Sequence, residues 1–431
     1  MADLAVNICG IESPNPFWLA SAPPANTGDQ IARAFEAGWG GAVWKTIGEP
    51  IENTWSRYSS VDLNGQRMMG LNNIELITDR SLELNLREIT TVKNRYPNHA
   101  LIVSLMVESD RDAWHTIVKQ AQDAGADGVE LNFGCPHGMS ERGMGSAIGQ
   151  VPEYACQITT WAKEVATVPV FVKLTPNVAD IRPPAKAALD GGADAVSLIN
   201  TINSITGIDL DTFAPRPAVA GESSHGGYCG PAVKPIALHM VSSIAGDPEL
   251  QGLEISGIGG IATWQDAAEF ILLGSSTVQV CTAVMHWGYR IVEGMIDGLS
   301  NYLDHKGMAS VSELRGQTLG RLKSWQNLDL NYVIKASIDQ EACIGCGICY
   351  IACNDGAHQA IGAERSGERT RVWIKDEACV GCNLCSLVCP VPGCITMEQQ
   401  DSTEGPLTWN EYIEGSDTEL IPRPKHGVTI D

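Results

Sequence analysis

The sequence predicts a (β/α)8 barrel followed by a small cysteine-rich α+β domain, and two observations carry that reading. The first is an internal echo. "FEAGWGGAVWKT", "AQDAGADGVELN", "ALDGGADAVSLI" and "FILLGSSTVQVC" each pass from an apolar helix end through a glycine (Gly38, Gly125, Gly192, Gly274) into a β-rich run. A glycine there suits the left-handed residue that closes a helix, and the apolar run after it suits a strand buried on both faces. The second is a break in composition. Of fourteen cysteines, five are scattered over residues 1–335 and nine fall between Cys343 and Cys394. A chain of 431 residues also exceeds the ~250–300 at which a single core stops growing. The domains are therefore expected at 1–335 and 336–400, with an acidic tail over 401–431.

Taken in order, the strand candidates are 16–21, 41–47, 100–107, 128–134, 169–175, 195–201, 254–258 and 278–284. Amphipathic helical stretches lie between them, for example 110–124 and 152–166. Eight strands alternating with helices over roughly 300 residues is the barrel pattern; an open doubly wound sheet is the runner-up, and eight units without a mid-chain switch weigh against it. A barrel places its site at the C-terminal strand ends. "KTIGEP" and "KLTPN" put Lys45 and Lys173 there, at the tips of apolar strands. Turn chemistry accounts for the glycines and prolines at these ends, but a buried ammonium without a partner is costly. Two such lysines point to an anionic or electron-rich ligand.

"SGIGGIATW" holds a loose G-x-G-x-x-A from Gly257 to Ala262. A dinucleotide fingerprint needs a following strand that ends in an acid, and "VQVCTA" has none. In a barrel the same glycines suit one phosphate, so FMN fits better than NAD; a glycine-rich turn without ligand stays open. "NFGCPHGMSERGMG" leaves the fourth strand and sets Cys135 between Gly134 and Pro136, ahead of a glycine-rich loop. A thiol, with a pKa of ~8.5, is mostly protonated at neutral pH and can serve as an acid.

The second domain holds two C-x2-C-x2-C-x3-C runs: Cys343, Cys346, Cys349, Cys353 and Cys379, Cys382, Cys385, Cys389. This is the ferredoxin spacing for two 4Fe–4S clusters, in which the fourth cysteine of each run serves the other cluster. One cluster is thus assigned Cys343, Cys346, Cys349 and Cys389, and the other Cys379, Cys382, Cys385 and Cys353. Zinc would use paired CxxC units instead. Cys394 is left over as a buried structural thiol.

A formal charge of −22 argues against nucleic acid and anionic membrane as partners. The first residues lack a basic and then apolar leader, and no apolar run approaches the ~18 residues of a membrane span. A cytoplasmic chain with reduced thiols is the expectation.

"LNNIELI", "CPHGMSERGMG", "VKLTPN", "INT" and the paired cysteine runs followed by "PGCITM" resemble the dihydropyrimidine dehydrogenases. The likeness is to the catalytic subunit of bacterial NAD-dependent enzymes, to the C-terminal part of the single-chain eukaryotic enzyme and, more distantly, to class 1 dihydroorotate dehydrogenases. It implies reduction of the C5–C6 bond of uracil or thymine in pyrimidine degradation, with hydride from FMN to C6 and a proton from Cys135 to C5. It implies pyrimidine contacts at Asn73, Glu75, Ile77, Asn132, Asn200 and Thr201. It implies flavin contacts at Ala20, Ser21, Lys45, Thr46, Lys173, Gly230, Gly259, Gly260, Cys281 and Thr282. Relatives commonly carry serine where Gly134 stands, so a hydroxyl beside the acid is absent here. With no NAD site of its own, the chain is expected to take electrons from NAD(P)H through a separate FAD-binding subunit in a heterotetramer. The rival readings are a dihydroorotate dehydrogenase-type flavoenzyme and an electron carrier with a non-catalytic barrel.

Overall fold

The computed structural model describes residues 2–63, 65–135, 143–367, 369–400 and 405–414. They form two compact units, Met1–Gly320 and Arg321–Asp431.

In the first unit eight parallel strands close into a barrel: β1 (Phe17–Leu19), β2 (Gly41–Ile47), β3 (Ala100–Leu105), β4 (Gly128–Asn132), β5 (Val170–Lys173), β6 (Ala195–Leu198), β7 (Glu254–Ile258) and β8 (Thr277–Val280). Each pairs with its neighbours in chain order, and β8 returns to β1. Every residue of β2, β3 and β4 is buried, as strands lined on one face by the barrel interior and on the other by helices must be. The four echo glycines all have positive φ, at 112°, 99°, 92° and 106° for Gly38, Gly125, Gly192 and Gly274. The repeat is therefore a repeat of helix endings. A hairpin of Val6–Ile8 and Ile11–Ser13 packs its Ile8 and Ile11 with Val43, Ala100 and Ala195 near the N-terminal ends of the strands.

The last strand ends earlier than the expected 278–284. Its ladder with the short β1 closes at Val280 opposite Leu19, and Ala20 N–H donates to the Val280 carbonyl at 3.0 Å. Among the described residues no strand pairs with the chain beyond it, and the chain turns at Cys281 into a helix, Thr282–Trp287. A four-stranded antiparallel sheet was not read from the sequence. It is made of Tyr58–Leu63, Gln66–Asn73, Ile202–Ser204 and Gly226–Cys229, inserted after β2 and β6.

The second unit pairs Ile334–Ile338 with Ile395–Gln399 and Ile361–Ser366 with Arg369–Ile374, around the helices Ile348–Gly356 and Leu384–Leu387. The compact units divide at Gly320, and the strand Ile334–Ile338 runs across the expected boundary at Lys335. Part of the acidic tail also belongs to this unit. Leu330 N–H donates to the Leu407 carbonyl at 2.7 Å, and the Trp325 and Trp409 rings lie 5.8 Å apart.

Candidate functional site

The C-terminal ends of the barrel strands and the antiparallel sheet enclose a cavity of about 540 Å3, within the range that holds small ligands and cofactors. Every residue named above for flavin or pyrimidine lines it, including Ala20, Ile77 and Cys135.

The two lysines find the partners that buried ammonium groups require. Lys45, on β2, is ion-paired with Glu75, and the other Glu75 oxygen accepts from the Tyr58 hydroxyl. Burial and this carboxylate push the Tyr58 phenol well above its ordinary pKa. Lys173, at the end of β5, has its Nζ 3.7 Å from Glu130 Oε1. Glu130 lies two residues before Asn132 on β4, so both face the barrel interior. The sequence flagged the two lysines and missed Glu130, although a carboxylate inside "GVELN" was a signal.

A polar chain links the strand ends. The Thr46 hydroxyl meets Ser21 Oγ at 3.2 Å and Ser104 Oγ at 2.9 Å, and it accepts from Asn132 Nδ2 at 3.0 Å. Asn132 Oδ1 accepts from Asn200 Nδ2 at 3.2 Å and from Gly134 N–H at 3.2 Å. Asn200 Oδ1 in turn accepts from Thr201 N–H at 2.8 Å. Asn73 Nδ2 donates to the Gly227 carbonyl at 3.1 Å, which ties it to the antiparallel sheet.

Cys135 follows β4 and packs with Ile77, Met106 and Met144. Its carbonyl accepts from Ser146 N–H at 3.0 Å. Gly145 permits that approach, because a Cβ there would lie 2.8 Å from the Cys135 carbonyl oxygen. The remainder of the expected loop, 136–142, lies outside the described residues.

At the other end of the cavity Gly230, Gly259 and Gly260 all have positive φ, at 95°, 130° and 75°. A Cβ on Gly260 would meet the Gly230 carbonyl oxygen at 2.9 Å, so only bare backbone fits there. Asp266 fixes this loop, accepting from Ala262 N–H at 3.0 Å and from Lys234 Nζ at 2.7 Å. Burial pushes the Cys229 thiol up to about 11 and raises that of Cys281; both are neutral wall residues rather than nucleophiles. Cys229, Tyr58 and Gln279 line the cavity without having been foreseen. Two further cations stand near it, Arg67 on its wall and Arg57 at 3.5 Å from Glu75.

In the second unit the eight run cysteines line two small cavities. One is bounded by Cys343, Cys346, Cys349 and Cys389, the other by Cys353, Cys379, Cys382 and Cys385. The two runs repeat one backbone shape: Gly345 and Gly381 have φ of 70° and 69°, Gly347 and Asn383 of 74° and 68°. Among the described residues no group of three or more His, Cys, Asp or Glu could hold a single metal ion. Thiols set around a cavity suit a multi-iron cluster better than a tetrahedral zinc ion. Cys394 is buried, with its Sγ 3.7 Å from the Asp339 carbonyl oxygen.

Comparison with known proteins agrees with both units. Residues 3–303 match the family described as dihydroorotate dehydrogenase, and residues 336–397 match the 4Fe-4S dicluster domain. The NAD-dependent dihydropyrimidine dehydrogenase subunit PreA of Escherichia coli (strain K12) is 44% identical over 371 residues, 86% of this chain and 89% of that protein. The chloroplastic dihydropyrimidine dehydrogenase (NADP(+)) of Arabidopsis thaliana is 42% identical over 74% of this chain and 77% of that one. The catalytic subunit of dihydroorotate dehydrogenase B (NAD(+)) from Pyrococcus abyssi is 38% identical over 73% of this chain and 99% of its own. The ligand-free dihydroorotate dehydrogenase structure from Eimeria tenella shares the fold, with a TM-score of 0.61 at 21% identity over 74% of this chain and 92% of that one. The barrel and the dicluster domain together define a flavin and iron–sulfur oxidoreductase. Within that class the chain belongs to the family of NAD-dependent dihydropyrimidine dehydrogenase subunits.

Proposed function

We propose that the chain is the catalytic subunit of a cytoplasmic dihydropyrimidine dehydrogenase. It reduces the C5–C6 double bond of uracil or thymine and receives NAD(P)H electrons from a separate FAD-binding subunit in a heterotetramer. The observation that carries the proposal is convergence. Cys135, the amides of Asn73, Asn132 and Asn200, and the ammonium groups of Lys45 and Lys173 all face one cavity.

The residues fit FMN: bare backbone at Gly230, Gly259 and Gly260 admits a phosphate, and the two lysines suit an electron-rich ring. Bound FMN supplies a hydride, and bound clusters supply it with single electrons. The chain's own residues do the rest. Asparagine amides offer a donor and an acceptor each, which matches the alternating carbonyl and N–H edge of a pyrimidine. Cys135 delivers its thiol proton to C5, and Ile77, Met106 and Met144 shield it from water. Lys45 and Lys173 offset the negative charge that gathers on the ring system.

Cys135→Ala should keep its flavin and its uracil affinity and lose most uracil reduction, a loss of the order 10²–10⁴-fold expected for a general acid. Steady-state turnover with reduced viologen measures this. Turnover within twofold of the parent removes Cys135 as the acid. Orotate reduction exceeding uracil reduction in the same assay would favour the dihydroorotate-type reading, with Arg67 or Arg57 as the carboxylate partner.

A further inference from the structure

We propose that Glu130 is a positioning residue: it is the fixed counter-charge of Lys173, and through that lysine it holds the flavin potential down. The inference rests on the reading that the cavity holds FMN.

Glu130 is fully buried inside the barrel. Its Oε2 accepts from Ser197 Oγ at 2.6 Å and from Gln279 Nε2 at 3.4 Å. Gln279 Nε2 also donates to Ser256 Oγ at 3.0 Å, and Ser256 accepts from Thr277 Oγ1 at 2.8 Å. One carboxylate oxygen is thus anchored by side chains from β6 and β8. The other, Oε1, has no hydrogen-bond partner among the described residues and lies 3.7 Å from Lys173 Nζ. A carboxylate held on one side and bare on the other is an arrangement for a charge partner. Lys173 meets that oxygen from one side and lines the cavity on the other.

The two lysines are held differently. Lys45 pairs with Glu75, which follows the inserted antiparallel sheet. Glu130 belongs to the barrel itself, so its charge is a fixed part of the flavin's surroundings. Reduction adds negative charge to the flavin ring. The Lys173 ammonium favours that charge, and the Glu130 carboxylate behind it subtracts from the effect. Removing the carboxylate while the ammonium stays must favour the reduced flavin.

The test is the flavin midpoint potential of the purified holoprotein with clusters in place. Glu130→Gln keeps the volume and removes the charge. It should tighten reduced over oxidised flavin about tenfold, a rise of ~30 mV for a two-electron couple. Lys173→Met should move the potential the opposite way, a sign reversal that a merely structural pair would not produce. Should Glu130→Gln fail to fold, Ser197→Ala removes the hydrogen bond that anchors the carboxylate beside Lys173 and should shift the potential upward by less. A reduced-to-oxidised flavin ratio within twofold of the parent in Glu130→Gln, or in Ser197→Ala where that variant stands in for it, or a fall in potential in either, overturns the assignment. A parent protein that binds no flavin overturns the proposed function and this inference with it, and that result is visible before any variant is made.

Discussion

Gly134 and Asn200 occupy one space. A Cβ built on Gly134 would lie 2.4 Å from Asn200 Nδ2 and 2.5 Å from its Cβ. The whole Asn200 side chain, and not merely its tip, would have to leave. Its departure breaks the 3.2 Å bond to Asn132. Placing a serine at this position should therefore not improve proton delivery here. Gly134→Ser is expected to raise KM for uracil by about tenfold, in line with the ~1–3 kcal/mol lost when a buried polar partner goes missing, and to leave the flavin spectrum unchanged. Steady-state kinetics with reduced viologen give the answer, and an unchanged KM would remove Asn200 from the pyrimidine edge. The placement of Cys135, Asn132 and Asn200 at the cavity was legible in the sequence because polar groups at the ends of apolar strands have no role in a core. Their coupling through Gly134 was not, since it depends on a contact between β4 and β6 that spacing does not reveal.

At the scale of elements, the helix Ile348–Gly356 supports the expected exchange of the fourth cysteines. Cys349 and Cys353 are one turn apart on it, yet Cys349 lines the first cavity and Cys353 the second. A helix placed between two cavities serves both. Cys353→Ser should then deplete the cluster of the second run, Cys379, Cys382 and Cys385, and spare the first. Iron content and the paramagnetic signals of the dithionite-reduced protein distinguish the two. Loss of the first-run signal instead would show that each run keeps its own four ligands. The dicluster character of this unit was legible, because cluster ligation fixes cysteine intervals more tightly than packing fixes apolar ones. Four of the eight barrel strands were legible for a similar reason: β2, β4, β6 and β8 are apolar runs behind a left-handed glycine. Strand ends were less so. Val280 ends β8 because its partner β1 is only three residues long, a limit set by tertiary pairing. The antiparallel sheet escaped notice since Ile202–Ser204 and Gly226–Cys229 are short and polar or glycine-rich, and pair across long separations.

On the scale of the whole molecule, the chain divides its chemistry between a barrel with a flavin-sized cavity and a unit with two cysteine-lined ones. Neither offers a dinucleotide fingerprint. The glycines Gly257, Gly259 and Gly260 fall in β7 and the loop after it, and the strand that follows, Thr277–Val280, ends without an acid. A nicotinamide must touch the flavin it reduces, and on the proposed function the cavity's polar face serves the pyrimidine. On the proposed function, electrons are expected to enter through the clusters, from a separate protein that binds the nicotinamide. The chain purified alone, with FMN and iron intact, should reduce uracil with dithionite-reduced viologen and stay inert with NADH or NADPH. Addition of an FAD-containing partner subunit should restore nicotinamide-dependent turnover, and Cys353→Ser should abolish the restored rate while leaving flavin bound. Rapid NADH-driven uracil reduction by the isolated chain would mean that the nicotinamide reaches the flavin directly, and the case for a separate electron-input subunit would fall.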